Sequence, residues 1–221
     1  MTRFDLRGAL RLYAITDRAW LNGRRLADVV ETVVAGGATC VQLREKGLRG
    51  EALLAQAREV QAVARRHGVP FLVNDDVEAA LAVDADGVHV GQEDVRGRDI
   101  RALIGRDKIL GMTARTVEAA VAAERAGADY LGAGAVFGSA TKQDARPLSL
   151  EALRAICAAV AIPVVAIGGI HAGNLPRLRG SGAVGAAVVS GLFGQADPGQ
   201  AAKGLRALAD QIFGEEKRPC R

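Results

Sequence analysis

Two carboxylate-bearing stretches define the chemistry open to this chain. Asn74-Asp75-Asp76 ends the short apolar run Phe71-Leu72-Val73, and Gly91-Gln92-Glu93-Asp94 ends the next, Gly87-Val88-His89-Val90. The segment between them, 76–82, is long enough for about two helical turns. The pattern reads strand, short helix, strand. Neighbouring parallel strands lie about 4.8 Å apart, so Asp75 and Asp94 are expected side by side on one rim of a sheet. Two carboxylates so placed repel each other unless a cation lies between them. Mg²⁺ accepts one or two carboxylates together with substrate phosphate oxygens. The pair therefore reads as a metal site serving a phosphorylated substrate. The competing reading is helix capping, since Asn and Asp are favoured caps directly after a strand. The second acidic loop favours the metal.

A cationic set lies upstream. Gln42, Arg44 and Lys46 alternate, so an extended backbone puts them on one face and turns Val41 and Leu43 towards covering helices. A guanidinium that forks across oxygens and a point-charge ammonium suit a diphosphate. A solvated loop with Glu45 paired to Arg44 is the alternative. Further on, Gly168-Gly169 and Val189-Ser190-Gly191 each follow an apolar run. Glycine lets backbone N–H groups approach a phosphate closely, and the two loops together read as a phosphate cup. Phe137-Gly138-Ser139-Ala140-Thr141-Lys142 offers two hydroxyls and an ammonium, a further anion-binding set. Thr113 ends another apolar run and points inward if Ile109 and Gly111 do. The histidines carry less. His67 falls in a helix's last turn, where the dipole favours it. His89 sits inside a strand as a structural residue, and His171 is expected to start a helix. No Ser/His/Asp or Cys/His constellation is legible from spacing.

The elements that must position these residues alternate regularly. Strands are expected over 12–16, 39–43, 71–74, 87–90, 108–112, 130–135, 163–167 and 186–189. Helices are expected from about Arg25 to Gly36-Gly37, over 51–67 with Gly68 as stop, near 100–103, from the cap Thr116 to Gly127, from Ser149, and over about 198–212. Eight strands alternating with helices give an open doubly wound sheet or a closed barrel. The nearest dinucleotide fingerprint, Gly132-Ala133-Gly134, lacks its third glycine and falls within a strand. The count favours an α/β (β/α)₈ TIM barrel with its site at the C-terminal strand ends. Residues 1–213 are expected to form one catalytic domain, and 214–221 a flexible tail.

Composition agrees. A chain of 221 residues, 49% hydrophobic and 24% charged, can bury about 70–75% of its unfolded surface. Aromatics are only 4%, with 27 glycines, which argues against base-stacking surfaces. Lys plus Arg is 29 against 25 Asp plus Glu. That dispersed surplus is too small to imply nucleic acid and suits anionic small molecules. Cys40, Cys157 and Cys220 are widely spaced and suit a reducing cytoplasm. No run approaches a membrane span. A homo-oligomer is left open.

Several runs together resemble the thiamine-phosphate synthase family: Val41-Gln42-Leu43-Arg44-Glu45-Lys46, Asn74-Asp75-Asp76, Asp86-Gly87-Val88-His89-Val90-Gly91-Gln92-Glu93-Asp94, Thr141-Lys142, Ala166-Ile167-Gly168-Gly169-Ile170 and Val188-Val189-Ser190. The likeness runs from about Leu12 to Leu208. It implies a (β/α)₈ fold and a reaction in which a hydroxymethylpyrimidine diphosphate loses pyrophosphate to the nitrogen of a thiazole phosphate. It implies that Gln42, Arg44, Lys46, Asn74, Thr113 and Lys142 hold the pyrimidine diphosphate, with Arg44, Lys46 and Lys142 stabilising the leaving charge. Asp75 and Asp94 would bind Mg²⁺. Ser139, Thr141, Gly169, Val189 and Ser190 would hold the thiazole phosphate. Three positions depart from the family's pattern: Ser139 stands for a usual Thr, Thr113 for a usual Ser, and Arg115 for a common His. Both hydroxyls survive, so Arg115 puts substrate orientation in question more than the reaction. The rival readings are a thiazole tautomerase on the same barrel, which would not need the metal pair, and a non-catalytic phosphate-binding barrel.

Overall fold

Every apolar run of the chain closes on the next. The computed structural model describes residues 4–91, 97–138 and 147–214. Among these, β1 (Leu12–Ile15), β2 (Cys40–Leu43), β3 (Phe71–Asn74), β4 (Gly87–Val90), β5 (Ile109–Ala114), β6 (Tyr130–Gly134), β7 (Val164–Ile167) and β8 (Gly185–Val188) pair in sequence order into a closed barrel. All pairs are parallel, and β1 closes on β8 with Tyr13 beside Ala187. The covering helices are α1 (Leu6–Ala9), α2 (Leu26–Ala35), α3 (Gly50–Arg66), α4 (Val77–Ala82), α5 (Ile100–Ile104), α6 (Val117–Arg125), α7 (Leu150–Ala159), α8 (Ser190–Phe193) and α9 (Pro198–Phe213). None is long and apolar enough to cross a membrane.

Local chemistry sets the helix starts. The side chains of Asp76, Asp99, Thr116, Ser149 and Asp197 each accept a backbone N–H from the first turn of the helix they precede, at 2.8–3.1 Å. Each such cap is worth about 1 kcal/mol. The sequence places most elements within two residues. It misses α1 and α8, too short to show a period, and it ends β5 before Thr113 and Ala114. His171 starts no helix: the chain there makes a turn, and a short 3₁₀ stretch begins only at Leu175–Leu178.

Strand alternation divides the core in two. Outward residues such as Val41, Leu43, Val73, Val88 and Leu131 pack against the helices. Inward residues, among them Tyr13, Ile15, Cys40, Leu72, Ile109, Tyr130 and Val165, fill the barrel. Thr113 does follow Ile109 and Gly111 inward. Two glycines clear space for large inward side chains. A β-carbon at Gly111 would run into the Tyr130 ring, and one at Gly132 would come within 3.1 Å of His89 Cε1. Gly132-Ala133-Gly134 is thus a strand that makes room inside a barrel, not a dinucleotide turn.

Candidate active site

The rim at the C-terminal ends of β1 and β2 is built around Arg44. The buried Thr16 receives the Arg44 backbone N–H on its hydroxyl at 3.0 Å and faces the Arg44 carbonyl at 3.3 Å. This continues the β1–β2 pairing one step past both strands. The Arg44 guanidinium lies 3.7 Å from Asp17, with both side chains about 15% exposed (15% and 14%). The alternative pairing of Glu45 with Arg44 is not what forms. Glu45 turns away to Arg18 at 2.8 Å and accepts the Gly47 N–H at 3.0 Å. Arg44 is thereby left on the inner side with Gln42, while Lys46 is exposed on the loop beyond.

At the ends of β3 and β4, Asn74 and Asp75 divide the labour with Asp76. Capping of α4 belongs to Asp76, which accepts the Ala79 N–H at 2.8 Å. Asp75 instead adopts a left-handed backbone with φ 63°, a conformation Asp tolerates at some cost. Its N–H donates to the His89 carbonyl at 2.8 Å, and its side chain is exposed on the rim. An exposed carboxylate held by strained backbone at a strand end fits a hard, oxygen-seeking cation. β3 and β4 are parallel neighbours, as the metal reading requires, with Asn74 beside His89. Asp94 itself lies outside the described residues.

Below the rim runs a chain of polar side chains that sequence reading missed. The Gln42 amide nitrogen donates to the Tyr13 hydroxyl. The Tyr13 and Tyr130 hydroxyls are 2.8 Å apart. Tyr130 meets His89 Nδ1 at 2.8 Å, and His89 Nε2 meets the Thr113 hydroxyl at 3.1 Å. Two expected substrate residues, Gln42 and Thr113, are thus the ends of one path through the barrel. Burial pushes both tyrosine hydroxyls well above the ordinary phenol range, so both stay protonated at neutral pH. The signal available in the sequence was slight: two tyrosines and a histidine at inward strand positions, each of which also reads as core.

Across the mouth, the loops after β6, β7 and β8 interlock through glycine. Gly168 and Gly169 have φ 104° and 63°, and a β-carbon at Gly169 would approach the Phe137 and Gly138 carbonyls at 2.7 and 2.9 Å. One at Gly191 would strike the Ile170 carbonyl. Asn174, which sequence reading passed over, fastens this loop. Its amide donates to the Gly169 carbonyl at 2.8 Å and accepts the His171 N–H at 2.9 Å. Val189 and Ser190 then start α8 directly after β8, a short helix whose first N–H groups have no partner within the helix. Arg115 lies exposed just past β5. Ser139, Thr141 and Lys142 lie outside the described residues.

Amide and cationic groups on one side of the mouth and glycine-built loops on the other define a class: (β/α)₈ enzymes that handle small phosphorylated molecules at their strand ends. Comparison with known proteins narrows the class. Residues 12–192 match thiamine monophosphate synthase, and the chain belongs to that family, which makes it a transferase. It is 44% identical over 200 residues to the thiamine-phosphate synthase of Clostridium tetani, covering 90% of this chain and 96% of that one. It is 48% identical over 199 residues to the thiamine-phosphate synthase of Chloroflexus aurantiacus, covering 90% and 92%. Among solved structures, thiamine phosphate pyrophosphorylase from Pyrococcus furiosus superposes with a TM-score of 0.86 at 39% identity, over 95% of this chain and 100% of that one.

Proposed function

We propose that this chain condenses 4-amino-2-methyl-5-(diphosphooxymethyl)pyrimidine with a thiazole phosphate to give thiamine phosphate and pyrophosphate. The observation that carries the reading is the placement of Arg44. It is largely buried beside inward-facing Gln42, and Asp17 and Thr16 hold it in position. A cation kept at a barrel mouth at that entropic cost suits a polyanionic leaving group.

The chemistry asks little acid–base work of the protein. The electron-rich aminopyrimidine stabilises a cation as its C–O bond to diphosphate breaks, and the protein's task is to hold the departing charge. Arg44, Lys46 and Lys142 take that role, each donor worth on the order of 3 kcal/mol if it acts as an oxyanion-hole donor does. Gln42, Asn74 and Thr113 orient the pyrimidine. Ser139, Thr141, Gly169, Val189 and Ser190 hold the thiazole phosphate, so that its nitrogen captures the cation before water does. Asp75 and Asp94 would hold Mg²⁺, which when bound neutralises diphosphate charge as a Lewis acid. Residues 1–213 serve as one catalytic unit, with 214–221 a tail outside it. Cys40 and Cys157 are buried and not joined in a disulfide, which suits a cytoplasmic setting. The test is to mix both substrates with Mg²⁺ and look for thiamine phosphate by mass. Absence of product, with fast interconversion of the thiazole phosphate isomers by NMR, would replace this reading with a tautomerase.

A further inference from the structure

The interior chain from Gln42 to Thr113 has a direction. An amide nitrogen only donates, so the Tyr13 oxygen accepts from Gln42. Tyr13 owns one proton, and its neighbour Tyr130 needs one for the bond between them. If Tyr13 supplies it, the Tyr130 proton is available for His89 Nδ1. His89 then carries its own proton on Nε2 and donates it to the Thr113 oxygen. The Thr113 proton is left over at the far end. The opposite sense would strand the Tyr13 proton in an interior where unpaired polar groups cost about 1–3 kcal/mol. The two phenols are almost fully buried, at 1% and 0% exposure, and Gly111 and Gly132 are the clearances that let Tyr130 and His89 reach one another.

We propose that Tyr13, Tyr130 and His89 are positioning residues that fix which hydrogen-bonding groups Gln42 and Thr113 present to the pyrimidine, and so set the enzyme's preference for a 4-amino over a 4-oxo ring. The inference rests on the reading of Gln42 and Thr113 as pyrimidine-holding residues. With one N–H committed to Tyr13, the amide keeps a carbonyl oxygen and a second N–H. That acceptor–donor pair complements the ring nitrogen and exocyclic amine of a 4-aminopyrimidine, in the way Asn and Gln read adenine. A 4-oxo ring offers the reverse pattern, a ring N–H and a carbonyl. It would be matched only if the amide turned over, and its carbonyl would then take the Tyr13 proton and reverse every bond of the chain, moving the His89 proton to Nδ1. Removing the Tyr13 hydroxyl frees the amide to turn.

The experiment compares the parent with Tyr13→Phe and Tyr130→Phe. The KM for the 4-amino pyrimidine diphosphate is measured beside the Ki of its 4-oxo analogue, with the KM for thiazole phosphate as internal control. In Tyr13→Phe the Ki/KM ratio should fall about tenfold, the size of one misdirected hydrogen bond, while the thiazole KM stays within about twofold. A general loosening of the barrel would raise both KM values together and leave the ratio alone. Tyr130→Phe cuts the chain at its middle and should lower the ratio in the same direction. In the parent, ¹⁵N NMR should find His89 as the Nε2–H tautomer, assigned by its loss in His89→Gln. An unchanged ratio in both phenylalanine variants, or a parent His89 protonated on Nδ1, overturns the inference. If Tyr13→Phe fails to fold, Tyr130→Phe and the parent's tautomer decide. A parent that makes no thiamine phosphate would defeat the proposed reaction instead, and the tautomer would still report on the chain.

Discussion

Gly111→Ala is the sharpest stability test of this barrel, because one methyl group meets a fully buried ring inside it. A β-carbon at Gly111 would collide with Cζ, Cε1 and the hydroxyl of Tyr130, a residue with 0% exposure. Restoring a carbon separation of about 3.5–4.0 Å needs the ring to retreat by about 1 Å or more. The Tyr130 hydroxyl would then lose the geometry of its bonds to Tyr13 and His89. Overpacking costs about 1–3 kcal/mol, and two neutral hydrogen bonds about 1 kcal/mol each, for a total of about 3–5 kcal/mol. At about 2–4 °C per kcal/mol for a domain of this size, Tm should fall by roughly 6–20 °C. Gly204→Ala is the matched control. It lies in α9 with nothing within 4 Å of its added β-carbon, so the same substitution should stabilise by about 0.5–1 kcal/mol through helix propensity alone. Both are read by thermal unfolding followed by circular dichroism. Should Gly111→Ala melt within about 2 °C of the parent, the packing argument and the close approach behind it are wrong.

Four other outcomes are expected. Asp75→Asn and Asp94→Asn should each remove most activity and most of its Mg²⁺ dependence while Tm stays near the parent's; an active, Mg²⁺-dependent pair would refute the metal assignment. Ser190→Ala should raise the KM for thiazole phosphate about tenfold, one hydrogen bond to a charged group, without moving that for the pyrimidine diphosphate, and equal losses would count against separate sites. Gly169→Val is a poor substitute for that test, because its side chain would press on the Phe137 and Gly138 carbonyls before any phosphate arrived. Burial raises the pKa of Cys40, Tyr13 and Tyr130 in the folded state, so the folded chain keeps protons that the unfolded chain releases. Stability should hold below about pH 8.5 and then fall, by up to about 1.4 kcal/mol per pH unit per group, first from the thiol and above about pH 10 from the phenols. Urea midpoints from pH 7 to 11 measure it, and Cys40→Ala should flatten the first part of the decline. Truncation after Phe213 should leave turnover unchanged, and a large loss would make 214–221 part of the catalytic unit.

The fold was legible because its signals are local and repeated. Thr116 and Ser149 cap their helices as their residue types imply, and the strands are short, mostly apolar runs, two of them directly after a proline (Phe71–Asn74 after Pro70, Val164–Ile167 after Pro163). The site was legible in its residue types and only partly in its geometry. Asn74-Asp75-Asp76 shows why. A capping aspartate and a rim aspartate look alike in sequence, and only the backbone separates Asp76, which caps, from Asp75 at φ 63°. Arg44 was assigned to a phosphate from its alternation with Gln42, but what fixes it, Thr16 and Asp17, comes from a neighbouring strand. No local pattern announces such a partner. His89, between two valines, reads as a satisfied structural histidine, and its bonds to Tyr130 and Thr113 satisfy it, but those partners lie on other strands and cannot be named from its own run. The reason for Gly111 is a ring on the next strand, which no window around Gly111 contains.

A barrel interior filled only with branched apolar side chains would be the easier one to stabilise, since every buried hydroxyl and amide must find a partner or cost about 1–3 kcal/mol. Here Gln42, Tyr13, Tyr130 and His89 occupy interior positions on four different strands, β2, β1, β6 and β4. Each is paired with the next, so the cost is largely offset, but a paired network adds little net stability over apolar packing of the same volume. What such a network does add is a fixed orientation, because none of its members can turn without breaking the bond of another. Orientation matters at the two ends of the network, the buried Gln42 and the half-buried Thr113, both of which the proposed function gives to the pyrimidine. The side proposed for the thiazole phosphate is built differently, from glycine loops held by Asn174, and needs shape more than polarity to hold a phosphate. The two halves of the mouth should therefore respond to different perturbations: loss of a buried hydroxyl should alter pyrimidine recognition, and added bulk in the glycine loops should disturb the packing around the thiazole phosphate.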